Sequence, residues 1–169
     1  MTKPETNRII VTTENPHSAD CLSLLAELTN ELGQLYGDDG GANSFSPDDA
    51  LASGAAFLVV RLEGTPIGCG AIRPLAPNIA EIKRLYVVPD ARGKGVGRRI
   101  LQELESAALE LGYNRVRLET GLKQPEAIGL YESAGYQRVE CNGKYLGNLM
   151  SVCFEKPLVG ARANSIEQE

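Results

Sequence analysis

Apolar and polar residues change their spacing several times along this chain, and each change marks an expected element. Arg8 to Thr13 is a β-branched run and is expected as a strand. Leu22, Leu25, Leu28 and Leu32 then recur at helical intervals, so Ala19 to Leu32 is expected as a helix with Gly33 as its stop. The Gly- and Asp-rich stretch Tyr36 to Ser44 reads as a loop. Ser46-Pro47-Asp48-Asp49 reads as a helix start, with Ser46 as cap and Pro47 at the first helical position. Ala55 to Leu62 and Pro66 to Ile72 form a hairpin pattern joined through Glu63-Gly64-Thr65, and Ala80 to Val88 is a third strand.

The strongest helical pattern follows at Arg98 to Leu111. Ile100, Leu101, Leu104, Ala107, Ala108 and Leu111 share one apolar face, and Gly112 ends it. Arg115 to Thr120 is a strand, and Pro125 to Ala134 a short helix closed by Gly135. Gln137 to Cys141 and Ser151 to Glu155 are the last strands. The order β-α-α-β-β-β-α-β-α-β-β predicts an α+β sandwich around a mixed sheet. Residues 1–159 are expected as a single domain and 160–169, all but devoid of large apolar groups, as a disordered tail.

Composition narrows the partners. With 43% hydrophobic and 23% charged residues the chain resembles an ordinary soluble domain. A net charge of −5 argues against nucleic acid or an anionic membrane as partner. No apolar run approaches the ~20 residues of a membrane span, and the polar start Met1 to Arg8 shows no secretory signal. Cys21, Cys69, Cys141 and Cys153 contain no Cys-x-x-Cys pair. They are expected reduced in a cytoplasmic protein, without disulfide or metal. His17, in a polar stretch, is expected on the surface.

Against the acidic background, the cationic segment Arg92 to Arg99 stands out. It lies between a strand and a helix and contains Arg92-Gly93-Lys94-Gly95-Val96-Gly97. Bare backbone N–H groups at a helix N-terminus bind phosphate, and Arg92 and Lys94 add cationic side chains. A Walker A loop fails because Gly95, not Ser or Thr, follows Gly93-Lys94. A dinucleotide fingerprint fits poorly: Pro89 to Arg92 separate strand from first glycine, and its sixth position is Arg98.

The third signature fits without gaps. The loop matches [Q/R]-x-x-G-x-[G/A] and so resembles the coenzyme A pyrophosphate loop of the GNAT superfamily of N-acetyltransferases. Leu85-Tyr86-Val87-Val88-Pro89 is similar to that family's preceding strand and turn. The segment from Gln124 through Leu130-Tyr131 to Gly135-Tyr136 resembles its second hallmark, a helix ending in L-Y-x-x-x-G-[F/Y]. The resemblance implies a mostly antiparallel sheet with a splayed parallel strand pair and helices on both faces. It also implies direct transfer of acetyl from acetyl-CoA to an amine in a ternary complex, with no metal.

On this resemblance the backbone of Arg92, Gly93, Lys94, Gly95, Val96 and Gly97 holds the pyrophosphate. Leu85, Tyr86 and Val87 run beside the pantetheine arm, and an N–H near Val87 polarises the thioester carbonyl. Tyr131 sits near the coenzyme sulfur and stabilises the departing thiolate. Gln124 replaces the family's usual asparagine at a coenzyme contact. Glu81 matches the glutamate base of many members, and Glu119 the base of a branch that acetylates protein N-termini. The acceptor is expected between residues 35–39, where Asp38 and Asp39 offer charge to a cationic amine, and residues 142–148. A small-molecule or amino-acid-like amine is the expected acceptor. A protein N-terminus, a lysine, and a non-catalytic acyl-CoA sensor are the alternatives. Ser151 to Glu155, read as an exposed final strand, offers a possible homodimer edge.

Overall fold

The computed structural model describes residues 8–159; the expected tail at 160–169 and the polar residues 1–7 lie outside the described residues. Its elements are β1 (Ile9–Thr13), α1 (Ala19–Tyr36), β2 (Ala56–Leu62), β3 (Thr65–Ala76), β4 (Ile79–Val87), α2 (Val96–Glu110), β5 (Arg115–Gly121), α3 (Pro125–Ser133), β6 (Gln137–Val139) and β7 (Ser151–Pro157). One seven-stranded sheet runs in the order β1-β2-β3-β4-β5-β7-β6. All its pairings are antiparallel except β4 with β5.

Both sheet faces are apolar, and strand alternation divides them. Leu58 and Val60 of β2, Ile72 of β3 and Ala80 and Ile82 of β4 face α2. Phe57, Val59, Cys69 and Ala71 face the opposite layer with Cys21, Leu24, Leu25 and Leu28 of α1. Ile100, Leu101 and Leu104 of α2 are fully buried, each burial stabilising by roughly 1.5–3 kcal/mol. The helix lies close because Gly68 and Gly70 leave room: a Cβ at either would fall within 2.9 Å of Ile100 or Leu104 side-chain atoms.

Parity inverts within β4. Ala80 and Ile82 face α2, yet Tyr86 packs in the α1 layer. The register explains this. Ala71 pairs with Lys83 and Cys69 with Tyr86, so Arg84 and Leu85 together oppose Gly70. This is a β-bulge, and Arg84 occupies the left-handed region at φ 58°. Its guanidinium donates to the Gly40 carbonyl and to Thr29 Oγ1, both at 3.0 Å, fastening β4 to α1 and the following loop.

Four expectations are corrected. Helix α1 does not stop at Gly33 but runs on to Gly37, which takes the left-handed conformation and donates to the Gly33 carbonyl. Gly33 is retained in the helix because the loop folds back over it; an added Cβ would lie 3.2 Å from the Asp38 carbonyl oxygen. The start at Ser46 is a capping box as expected, but it opens only a short 3₁₀ turn, Pro47–Leu51. The final strand is not an edge, because β7 pairs with β5 on one side and β6 on the other. Nor are all the cysteines reduced. Cys141 and Cys153 form a disulfide, brought together because the strand ends on either side of a hairpin are neighbours; Cys21 and Cys69 are free and buried.

Candidate functional site

The parallel seam is short. Ile79, Ala80 and Glu81 of β4 pair with Arg115, Val116 and Arg117 of β5, and beyond them the strands part. The gap is a cleft of about 130 Å³ lined on one side by Ile82, Lys83, Arg84 and Leu85, and on the other by Leu118, Glu119 and Thr120. Gln124, Tyr131 and the α1 residues Leu28 and Leu32 complete it. The bulge lies on this wall, so Leu85 and Val87 turn their side chains toward the α2 core while the strand backbone borders the cleft.

At the end of β4 the chain turns through Pro89–Ala91 into the glycine loop. Gly93 and Gly95 sit at φ 76° and 83°, where L side chains are strained. Gly95 caps α2 with no side-chain hydrogen bond, so the first-turn N–H groups keep the unsatisfied donors of any helix start. Gly97 lies within the first turn, and its Cβ would meet Leu130 at 3.2 Å, so α2 and α3 touch here. These features make an anion cradle from backbone alone. Arg92 contributes less charge than its position suggests. Its guanidinium donates to Glu31 at 2.7 Å and to the Val87 carbonyl at 2.9 Å, and it lies over the Tyr86 ring. Lys94 is exposed and has no partner among the described residues.

Tyr131 packs its ring against Tyr136 and Phe154, with centroids 5.8 and 5.7 Å away. It is therefore a core aromatic and a cleft residue together. Its hydroxyl has no hydrogen-bond partner among the described residues. Burial pushes its phenol well above the ordinary value, and the charge of Glu119 adds to this. Gln124 uses its Oε1 as an acceptor, from Tyr36 Oη at 3.1 Å and Gly121 N at 3.2 Å. Gly121 is required there, because a Cβ would overlap the Tyr36 hydroxyl at 1.8 Å.

The two glutamates occupy different settings. Glu81 is buried and receives Arg73 at 2.9 Å from Nε and 2.8 Å from Nη2; Arg73 also reaches Asp49 at 2.8 Å. Glu119 is partly buried and accepts one hydrogen bond, from Ser151 Oγ at 3.0 Å. Burial pushes its carboxyl above the usual range, opposed by the Ser151 hydrogen bond and by nearby Lys83 and Lys144. Glu119 also borders a second, larger pocket of about 420 Å³. That pocket continues past Glu81 to Arg73, Arg117 and the turn at Asn142, Gly143, Lys144 and Tyr145. Glu119 thus stands where the two spaces meet.

The acidic loop after α1 has another task. Asp39 accepts from Gly41 N and Asn43 N, and Asp38 from Gly40 N, so these carboxylates hold a turn. Residues that the sequence reading did not single out line the site instead: Arg73, Lys83 and Arg117. Tyr36, within the expected acceptor stretch 35–39, donates to Gln124. Alternation along β4 is the signal that marks Lys83, which shares a face with Glu81. His17 is on the surface, 2.6 Å from Asp48. No described helix is long and apolar enough to cross a membrane.

Comparison with known proteins agrees with this geometry. The sequence pattern of the acetyltransferase (GNAT) family matches residues 23–136. An IAA acetyltransferase of Azospirillum brasilense is 36% identical over 152 residues, covering 89% of this chain and 98% of that protein. A solved structure from Klebsiella pneumoniae, described as an acyl-CoA N-acyltransferase, has a TM-score of 0.75 at 32% identity and covers 89% of this chain and 98% of that one. PaiA N-acetyltransferase of Thermoplasma acidophilum, solved with coenzyme A, has a TM-score of 0.66 at 21% identity over 89% of this chain and 99% of that one, a likeness of fold. One family pattern thus takes in the splayed strands, the glycine loop and the Leu130-Tyr131 helix together, and the chain belongs to the GNAT family of N-acetyltransferases.

Proposed function

We propose that the protein transfers acetyl from acetyl-CoA directly to the primary amine of a small molecule. The observation that carries this is the parting of β4 and β5 after Glu81, with an uncapped helix start at one end and Tyr131 and Glu119 at the other.

The residues present fit the coenzyme. The first-turn N–H groups of α2 and the left-handed Gly93 and Gly95 would hold a pyrophosphate, with Lys94 supplying the free positive charge. The backbone at Leu85, Tyr86 and Val87 would pair with an amide-bearing arm as an added strand does. An N–H near Val87 would donate to the thioester carbonyl oxygen, and Gln124 keeps its amide N–H groups for the coenzyme. Bound acetyl-CoA supplies an activated acetyl group, which moves as a nitrogen–carbon bond forms and the carbon–sulfur bond breaks.

Glu119 takes the proton from the acceptor amine. Its raised pKa brings it nearer working pH than an ordinary carboxylate. Glu81, tied to Arg73, holds the wall of the pocket. Tyr131 serves by hydrogen bonding. A phenol near 10 against a thiol near 8.5 already makes full proton transfer uphill by about 2 kcal/mol; burial steepens that slope. Tyr131 therefore stays protonated and donates toward the leaving sulfur.

The test is release of free thiol from acetyl-CoA across a panel of small amines and peptides. Turnover on small amines supports the reading. Turnover on peptide N-termini or lysines alone replaces it with protein acetylation. Tight coenzyme binding with no turnover on any acceptor replaces it with an acyl-CoA sensor.

A further inference from the structure

We infer that the acceptor carries a carboxylate beside its amine, and that Lys83, Tyr145 and Lys144 receive that carboxylate. The inference rests on the acetyl-transfer reading and names the substrate class of the same site.

The larger pocket is where the acceptor would sit, and the cations around it and along its border with the cleft fall into two groups. Arg73 is matched by Asp49 and Glu81, and Arg117 lies 3.4 Å from Glu155. Lys83 and Lys144 have no carboxylate within ion-pair distance among the described residues. Lys83 is partly buried, and its Nζ donates 2.7 Å to Tyr145 Oη. Lys144, exposed on the turn Gly143–Tyr145, lies over the same ring at 5.2 Å, against 5.4 Å for Lys83. Tyr145 accepts from Lys83, and its own O–H has no acceptor among the described residues. Two ammonium groups without a counter-ion and one hydroxyl proton without an acceptor among the described residues therefore converge at this ring.

A partly buried cation without a counter-ion is costly to hold. Burial pulls the Lys83 ammonium down to about 8; Glu81 and Glu119 oppose this, and Lys144 and Arg73 reinforce it. A carboxylate placed at Tyr145 would satisfy all three donors by charge-assisted hydrogen bonds. The placement also suits the chemistry, because Glu119 feels both lysines and borders the same pocket. An amino acid bound with its carboxylate on the lysines would bring its amine toward Glu119, at the mouth of the cleft.

The experiment compares L-phenylalanine, L-leucine and L-lysine with their decarboxylated counterparts phenethylamine, isoamylamine and cadaverine, by thiol release. The amino acids are expected to exceed the matched amines in kcat/KM by about tenfold or more. In Lys83→Met the ratio should collapse toward one, chiefly through KM for the amino acid; Lys144→Met, at an exposed site, should lower it less. A ratio near one in the wild type, or a ratio unchanged in both variants, overturns the inference. A second readout needs no turnover: calorimetric binding of N-acetyl-L-leucine against N-acetylisoamylamine in the presence of coenzyme A. Carboxylate-selective binding lost in Lys83→Met, with no amine turned over, supports the carboxylate site and overturns amine acetylation. Turnover without carboxylate preference does the reverse. Neither turnover nor selective binding overturns both.

Discussion

On the proposed reading, the coenzyme end and the acceptor end of this site are built from different materials. The coenzyme end is backbone: left-handed glycines, an uncapped helix start and a bulged strand border, contributed by one continuous stretch, residues 82–97. The acceptor end is side chain: Arg73 from β3, Lys83 from β4, Glu119 from β5, and Lys144 and Tyr145 from the turn before β7. Backbone donors recognise what every acetyl-CoA has in common. Scattered side chains can be replaced singly without disturbing that cradle, so the acceptor end is where relatives of one fold can diverge.

The contrast can be broken most severely at Gly95. Gly95→Asp forces a side chain into φ 83° and puts a like charge in the anion nest. Acetyl-CoA affinity measured by calorimetry should fall by ~100-fold or more, with the fold retained by circular dichroism. Retained affinity would dissolve the distinction between the two ends.

Glu119→Gln attacks the acceptor end and should lower kcat by roughly 100- to 10,000-fold while coenzyme affinity holds. In the wild type the acid limb of kcat/KM should lie above the ordinary carboxylate range, because burial raises this group. The stability consequence has a definite sign. A carboxyl raised in the folded state favours folding fully below its unfolded pKa and loses that contribution as pH rises through its folded pKa. The variant should therefore match the wild type in acid and exceed it in Tm near neutrality. A lower Tm at neutral pH would mean that Glu119 is a structural anion.

Tyr131→Phe should reduce kcat by about 10- to 100-fold, the effect of one hydrogen bond to a charged sulfur. Because the ring keeps its contacts with Tyr136 and Phe154, Tm should change little. Unchanged kcat removes the tyrosine from the chemistry. The smallest effect separates two cations within the loop. Lys94→Gln should weaken coenzyme binding about threefold, and Arg92→Gln less, since Glu31 and the Val87 carbonyl already occupy that guanidinium. The opposite order would place Arg92 on the phosphates.

The same contrast explains what the sequence disclosed. Gly93, Gly95 and the Leu130-Tyr131 helix are local signals, since a turn needs its glycines at fixed spacing and a helix shows its period. All the strands and long helices were legible in this way, although α1 outran Gly33 because a returning loop packs on it. The acceptor end depends on which strands become neighbours. Lys83 meets Tyr145 across 62 positions, and Arg73 meets Glu81 only because β3 runs to Ala76, beyond its expected end. Asp38 and Asp39 looked like substrate charge, yet their nearest demand was backbone N–H groups two to four residues on. The disulfide was hidden for the same reason: Cys141 and Cys153 adjoin only once β6 and β7 pair, and that bond closes the loop carrying Lys144 and Tyr145.

The three-residue seam between β4 and β5 makes the sheet two plates joined along a short edge, one of β1–β4 and one of β5–β7. α2 packs across that joint from one side. A ligand threaded between the plates would act as a rivet, fastening edges that the chain leaves apart. Substrate binding and mechanical stiffening of the molecule would then be one event. The enzyme would be most rigid at the moment when acetyl, amine and base must hold still together.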